Sequence, residues 1–171
     1  MKKHVITTLI AGLFAASSAM AAEGQTEVSV SGQMDSSSVD GGADTTVTVV
    51  TGSLGQYISP VLVVRGSVLV AAAEGGGSTT NLTGLGAGIK YYIGEGAKSK
   101  WVPFALANVS FVSLEAGNFS ESGYGVSGGV GVSNFITEDV SFDITGEIYS
   151  NTLADSTQDG TRLLFGLTAR Y

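Results

Sequence analysis

The last ten residues, Arg162 to Tyr171, alternate without a break. Leu163, Phe165, Leu167, Ala169 and Tyr171 fall on one face, and Arg162, Leu164, Gly166, Thr168 and Arg170 on the other. A two-residue period over this length specifies a strand with one apolar side. The final residue is an aromatic ring in phase with that side. Two settings accept such a strand. One is the last strand of a soluble sheet. The other is the closing strand of a membrane barrel, with its apolar face on lipid, its terminal ring at the interface and its edge paired with the first strand.

The other end of the chain narrows the choice. Met1-Lys2-Lys3-His4 is a basic start, Val5 to Ala16 is apolar, and Ser17 to Ala21 ends in an A-x-A pattern. This reads as a secretory signal peptide over residues 1–21, with Ala19 and Ala21 as the small residues of the cleavage site and Ala22 as the first mature residue. The apolar core is too short for a membrane span. The basic start, the lack of a later apolar helix and the lack of a cysteine near the cut point to the periplasm or outer membrane of a Gram-negative-type envelope. Without the leader, six basic and fifteen acidic residues remain, a formal charge of −9. A phosphate backbone would be repelled, so nucleic acid is not an expected partner. With no cysteine there is no disulfide framework.

Residues 22–171 divide into about eight alternating segments of roughly ten residues, a length that suits tilted membrane strands. They are Glu27–Asp35, Thr45–Ile58, Val61–Ala72, Leu82–Ile93, Trp101–Leu114, Gly123–Asn134, Val140–Tyr149 and Arg162–Tyr171. The second has no clear phase, because Val49 and Val50 are both apolar and Gly52 or Gly55 invites a bulge. The fifth is equally ambiguous, although Asn108 and Ser110 suggest that Ala105, Ala107, Val109 and Phe111 face outward. Polar loops are expected at 36–44, 74–81, 115–122 and 151–161, and tighter turns at Ser59-Pro60 and Thr137–Asp139. An even strand number puts both ends of the domain on one side, as single-chain bacterial barrels require. The expected fold is all-β, an eight-stranded antiparallel up-and-down transmembrane β-barrel spanning residues 22–171.

Alternation alone does not say which face meets water. Three features favour the polar face inward. It is rich in glycine and serine, which suit a narrow packed lumen. The apolar face carries Tyr57, Tyr91, Tyr124 and Tyr171 near strand ends, as an interfacial girdle would. The polar face also mixes both signs of charge, so an interior network among Arg65, Lys90, Asp143, Glu147, Arg162 and Arg170 is expected to fill the lumen.

Several segments carry a family resemblance: Leu85-Gly86-Ala87-Gly88-Ile89-Lys90-Tyr91-Tyr92, the strand start Val102-Pro103-Phe104, the glycine strand Gly123 to Val132, and Phe165 to Tyr171. Together with the leader they make the chain resemble the small outer-membrane β-barrels: OmpX-like proteins, the OmpA membrane domain and opacity-type surface proteins. The resemblance covers the whole chain in layout. It implies the cell outer membrane, contact with outer-membrane lipid, escort by periplasmic chaperones and insertion by the outer-membrane assembly machinery. Phe165, Leu167 and Tyr171 would then be the assembly signal. It also implies a role in envelope integrity, adhesion or resistance, with an unidentified extracellular ligand at the loops. The peptidoglycan-binding domain of full OmpA-type proteins is not expected after the eighth strand.

Enzymatic chemistry finds little footing. Barrels of similar layout that act on lipid A rely on a histidine, and the single histidine here, His4, lies in the leader. Serine–histidine and cysteine–histidine activation are therefore unavailable to the mature chain. Asp143 and Glu147 share a face but stand roughly 13 Å apart along a strand, too far for a paired acid–base site. No cofactor or metal site is expected. The remaining alternatives are a narrow ion or small-solute channel and a soluble periplasmic ligand-binding barrel.

Overall fold

The structure is a computed structural model and describes residues 25–37, 45–75, 78–93, 100–117, 119–154 and 156–171. The leader and its cleavage site at Ala19, Ala21 and Ala22 lie outside the described residues. Eight strands follow one another around a closed barrel in sequence order, every neighbouring pair antiparallel. They are β1 Thr26–Ser37, β2 Thr45–Ser59, β3 Leu62–Gly75, β4 Ser78–Tyr92, β5 Trp101–Ala116, β6 Phe119–Phe135, β7 Val140–Leu153 and β8 Ser156–Arg170. The ring is closed by β1 and β8, which pair from Glu27↔Arg170 to Gly32↔Phe165 and leave no free sheet edge over that height, the condition for a β-structure to stand in lipid.

The barrel is inside out relative to a soluble protein. Glu27 and Lys90 are each 2% exposed, while Leu85 is 68% and Phe165 47% exposed. A soluble barrel would reverse these values, because leaving such side chains in water costs about 1.5–3 kcal/mol each. The aromatic rings fix the depth of the apolar belt. Trp101 and Phe111 both face outward on β5. Ten residues apart, they are about 33 Å apart along the strand and, at a tilt of about 40°, roughly 25 Å apart along the barrel axis, the height of an outer-membrane apolar band. Tyr91 and Tyr171 accompany Trp101 at the end holding the chain termini, and Tyr124 pairs with Phe111 at the other.

The strands are longer than the sequence suggests, at 12 to 17 residues. Much of what reads as loop at 74–81, 115–122 and 151–161 is paired strand. Gly75 pairs with Ser78, Ala116 with Phe119 and Leu153 with Ser156. Serine and threonine suit strands, and pairing satisfies backbone groups that a loop would leave to water. Gly117 adopts φ of 63° at one hairpin end, a conformation glycine enters without a steric penalty. A fifteen-residue strand tilted by about 40° rises about 38 Å against the ~25 Å band, so paired hairpins stand clear of the membrane on the side away from the termini.

The phase of β2 departs from expectation at one ring. Thr51, Ser53 and Tyr57 face the lumen, so Tyr57 is not part of the outer girdle. The register shift falls between Tyr57 and Ser59 rather than at Gly52 or Gly55.

Candidate functional site

The lumen is the place where chemistry-bearing side chains converge. Period-two geometry sends alternate residues of every strand into it, and eight strands leave a bore that side chains can fill. Inward glycines let the larger groups reach across. A Cβ on Gly131 would come within 2.4 Å of the Phe104 ring, and one on Gly88 within 2.2 Å of the Asn108 carboxamide.

The layer nearest the termini is densely connected. Lys90 on β4 donates from Nζ to Asp143 Oδ2 on β7 at 2.9 Å and to Glu27 Oε1 on β1 at 3.3 Å. Its ammonium also lies 4.4 Å from the Phe104 ring centre and 4.7 Å from that of Tyr92. Asp143 accepts further hydrogen bonds from Ser141 Oγ and Thr168 Oγ1, both at 2.8 Å. The hydroxyls of Tyr92 and Tyr57 donate to Glu27 Oε2. The two tyrosine rings stack at 6.2 Å. The Arg170 guanidinium lies 4.2 Å from the Phe135 ring centre and 4.7 Å from that of Tyr92. Val63, Tyr92, Val102 and Phe104 form a buried apolar cluster beside these charges.

Further along the axis the contacts thin out. Arg65 donates from Nε and Nη2 to Asn108 Oδ1 at 3.2 and 3.1 Å, and Asn108 Nδ2 donates to Ser127 Oγ at 3.3 Å. Arg162 donates to Glu147 Oε2 at 2.8 Å and lies over the Tyr149 ring. A cavity of about 80 Å³ separates these groups, room for only a few waters.

The expected six-residue network is therefore divided. Lys90 meets Asp143, and Arg162 meets Glu147. Arg65 bonds an asparagine, and Arg170 packs on aromatic rings. Glu27, which is outside the expected network, is a central member. Tyr57, Tyr92, Phe104 and Asn108 also take part without belonging to the expected set. Tyr92 is in phase with Lys90 and Asn108 is opposite the outward residues of β5, whereas Tyr57 is hidden by the ambiguous phase of β2. Phe165, Leu167 and Tyr171 line the outer face of the closing strand, with Phe165 stacked on Phe142 at 6.4 Å. Tyr171 closes the ring through its backbone, exchanging two hydrogen bonds of 2.9 Å with Thr26.

An eight-stranded barrel with lipid-facing rings and a charged interior defines a class: the small β-barrels of bacterial outer membranes. Residues 6–170 match the family described as outer membrane protein beta-barrel domain; the chain belongs to it, and its place is the cell outer membrane. Neisserial surface protein A is similar in fold, with a TM-score of 0.64 and 18% identity over 87% of this chain and 98% of that one. The N-terminal β-barrel domain of Pseudomonas aeruginosa OprF gives 0.55 and 14% over 87% and 98%. Yersinia pestis Ail in a phospholipid bilayer nanodisc gives 0.51 and 16% over 87% and 100%. At these identities the likeness is one of fold. Among curated proteins none matches the chain in sequence.

Proposed function

We propose that this barrel is a non-conducting, non-enzymatic surface protein whose lumen is plugged at the end holding the termini and whose paired hairpins meet the outside. The supporting observation is Lys90, 2% exposed, bridging Glu27 and Asp143 across the bore. An ion entering there would have to separate buried opposite charges, which costs several kcal/mol. The described hairpin ends carry Glu74, Glu115, Glu121 and Asp159 and no lysine or arginine. A partner at this rim meets negative charge, which favours basic surfaces over polyanions. Outer-membrane lipid surrounds the belt; periplasmic chaperones and the assembly machinery would deliver the chain, with Phe165, Leu167 and Tyr171 as the recognised end.

Planar-bilayer recording of the refolded protein tests the seal. The expected record is free of discrete steps. Robust single-channel steps that change with Arg65→Ala or Glu147→Gln would replace this reading with a narrow channel. Binding of the intact protein to basic and acidic peptides, measured against salt, tests the rim.

A further inference from the structure

The charges along the closed part of the bore do not balance. Lys90 is held by Glu27 and Asp143, and Arg162 by Glu147. Arg170 lies against aromatic rings beside the Lys90 layer. Arg65 is the cation left over. Among the described residues it forms no ion pair, and it donates to the neutral carboxamide of Asn108. Four cations thus stand with three carboxylates, an excess of one positive charge. A charge taken out of water is unfavourable unless it is paired.

The wall around Arg65 is built of donors over a bare floor. Register sets Arg65 and Ser67 on β3 opposite Gly88 and Gly86 on β4, and those glycines opposite Asn108 and Ser110 on β5. A Cβ on Gly86 would lie 2.9 Å from Ser67 Oγ and 3.1 Å from Ser110 Cβ, so the two serines approach one another over the glycine. Arg65, Ser67, Asn108 and Ser110 all line the cavity of about 80 Å³. A guanidinium has five N–H donors, and the bonds to Asn108 come from Nε and Nη2, which leaves the Nη1 pair outside that contact. A second cavity, of about 320 Å³, shares Leu69, Leu82, Tyr149, Asn151 and Arg162 with the first. The space beside Arg65 is therefore reached from the side away from the termini, without crossing the Lys90 layer.

We propose that Arg65, Ser67 and Ser110 hold one small monovalent anion of the halide class, chloride in ordinary surroundings, in the middle of the bore. The guanidinium supplies the opposite charge and the two hydroxyls donate to the ion. A single negative charge matches the excess of one, whereas a divalent oxyanion would reverse it. A cavity with room for only a few waters admits a halide and excludes larger organic anions. Glu147, the carboxylate on the other side of this cavity, is already engaged by Arg162 at 2.8 Å. The acidic hairpin ends do not bar a monovalent ion, because physiological salt screens charges beyond about 8 Å. This site goes beyond the sealing role and does not depend on it.

The refolded protein in phosphatidylcholine nanodiscs is titrated with sodium chloride and followed by the chloride NMR line width, with protein-free discs as the blank. The expected result is a saturable broadening above the blank that bromide displaces and gluconate, too large for the cavity, does not. Arg65→Gln keeps a donor for Asn108 and removes the charge; it is expected to weaken the saturable phase tenfold or more while the folded barrel still shows its heat-modifiable gel shift. The double variant Ser67→Ala, Ser110→Ala keeps the cation and removes the hydroxyls, and is expected to weaken binding at least threefold; it serves alone should Arg65→Gln not fold. Broadening no greater than the blank, displacement by gluconate as readily as by bromide, or a saturable phase untouched by the folded variants would overturn the site. Sulfate displacing chloride as well as bromide does would overturn the assignment to a monovalent ion.

Discussion

Lys90→Met removes the ammonium and keeps most of the side-chain volume. The ammonium makes two charge-assisted hydrogen bonds, at 2.9 and 3.3 Å, to carboxylates from β7 and β1, which flank β8 on the wall facing β4. Hydrogen bonds to charged groups contribute about 1.5–3 kcal/mol each, and breaking a buried pair by removing one partner costs about 3–5 kcal/mol. Glu27 and Asp143 each retain two hydroxyl donors, which places the expected loss near 3 kcal/mol. With a urea dependence of about 1–3 kcal/mol per molar, the unfolding midpoint in lipid vesicles should fall by roughly 1.5 M. The triple variant Lys90→Met, Glu27→Gln, Asp143→Asn should recover most of this, because it removes the unpaired charges rather than the packing. A single-variant shift below about 0.5 M, or a triple variant no better than the single one, would mean that the layer is hydrated and that buried ion pairing does not hold it.

Four further outcomes can be measured. Phe165→Arg, near the centre of the lipid-facing belt, should destabilise the inserted barrel by about 2–4 kcal/mol; this variant and deletion of Tyr171, which removes the two bonds to Thr26, should reduce outer-membrane assembly and leave aggregate in the periplasm, read by fractionation. Gly131→Ala forces Phe104 and the Ile144 carbonyl to move from within 2.5 Å of the new carbon, an overpacking cost of about 1–3 kcal/mol visible as a lowered urea midpoint. Mass spectrometry of the secreted chain should give Ala22 as its first residue, and Ala19→Arg should leave the leader attached. Hydrogen exchange in nanodiscs should be faster for the amides of residues 33–34 and 163–164 than for those of 28–32 and 165–169, since only the second set lies within the closing ladder.

Where the sequence was legible, the outside was lipid and the inside was polar. β4, β6 and β8 meet that condition along most of their length, and Lys90, Ser127 and Arg162 line the lumen. β2 does not. It runs from the rim, where Thr46 and Thr48 lie on the outer face and Val47 and Val49 on the inner, into the belt, where Val50 and Leu54 lie on the outer face and Ser53 on the inner. The apolar residues change sides at Val49-Val50 because the surroundings change, not the strand geometry, which puts no bulge there. A single period cannot report such a switch, and Tyr57 was misplaced as a result. Partner choice in the lumen was less legible still. Glu27 and Lys90 are 63 residues apart, and their meeting depends on barrel circumference and stagger rather than on any local pattern.

The two halves of the lumen explain one another. Lys90 ties β4 to β1 and β7 in a single layer, and that layer lies at the level where β1 and β8 are zipped: Glu27 is itself paired with Arg170, and Asp143 lies beside Gly166 of β8. The seam is thus held twice there, by its own ladder and by bonds across the bore. At the far end both restraints lapse together. The ladder stops at Gly32 and Phe165, and the wall there mixes Val47, Val49, Leu69 and Leu82 with Asn151, Thr161 and Arg162, with no ion pair across the bore among the described residues. Contacts around an open centre cannot draw opposite walls together as a buried ion pair can, so the seam is zipped at the level where the bore is bridged and open where it is not.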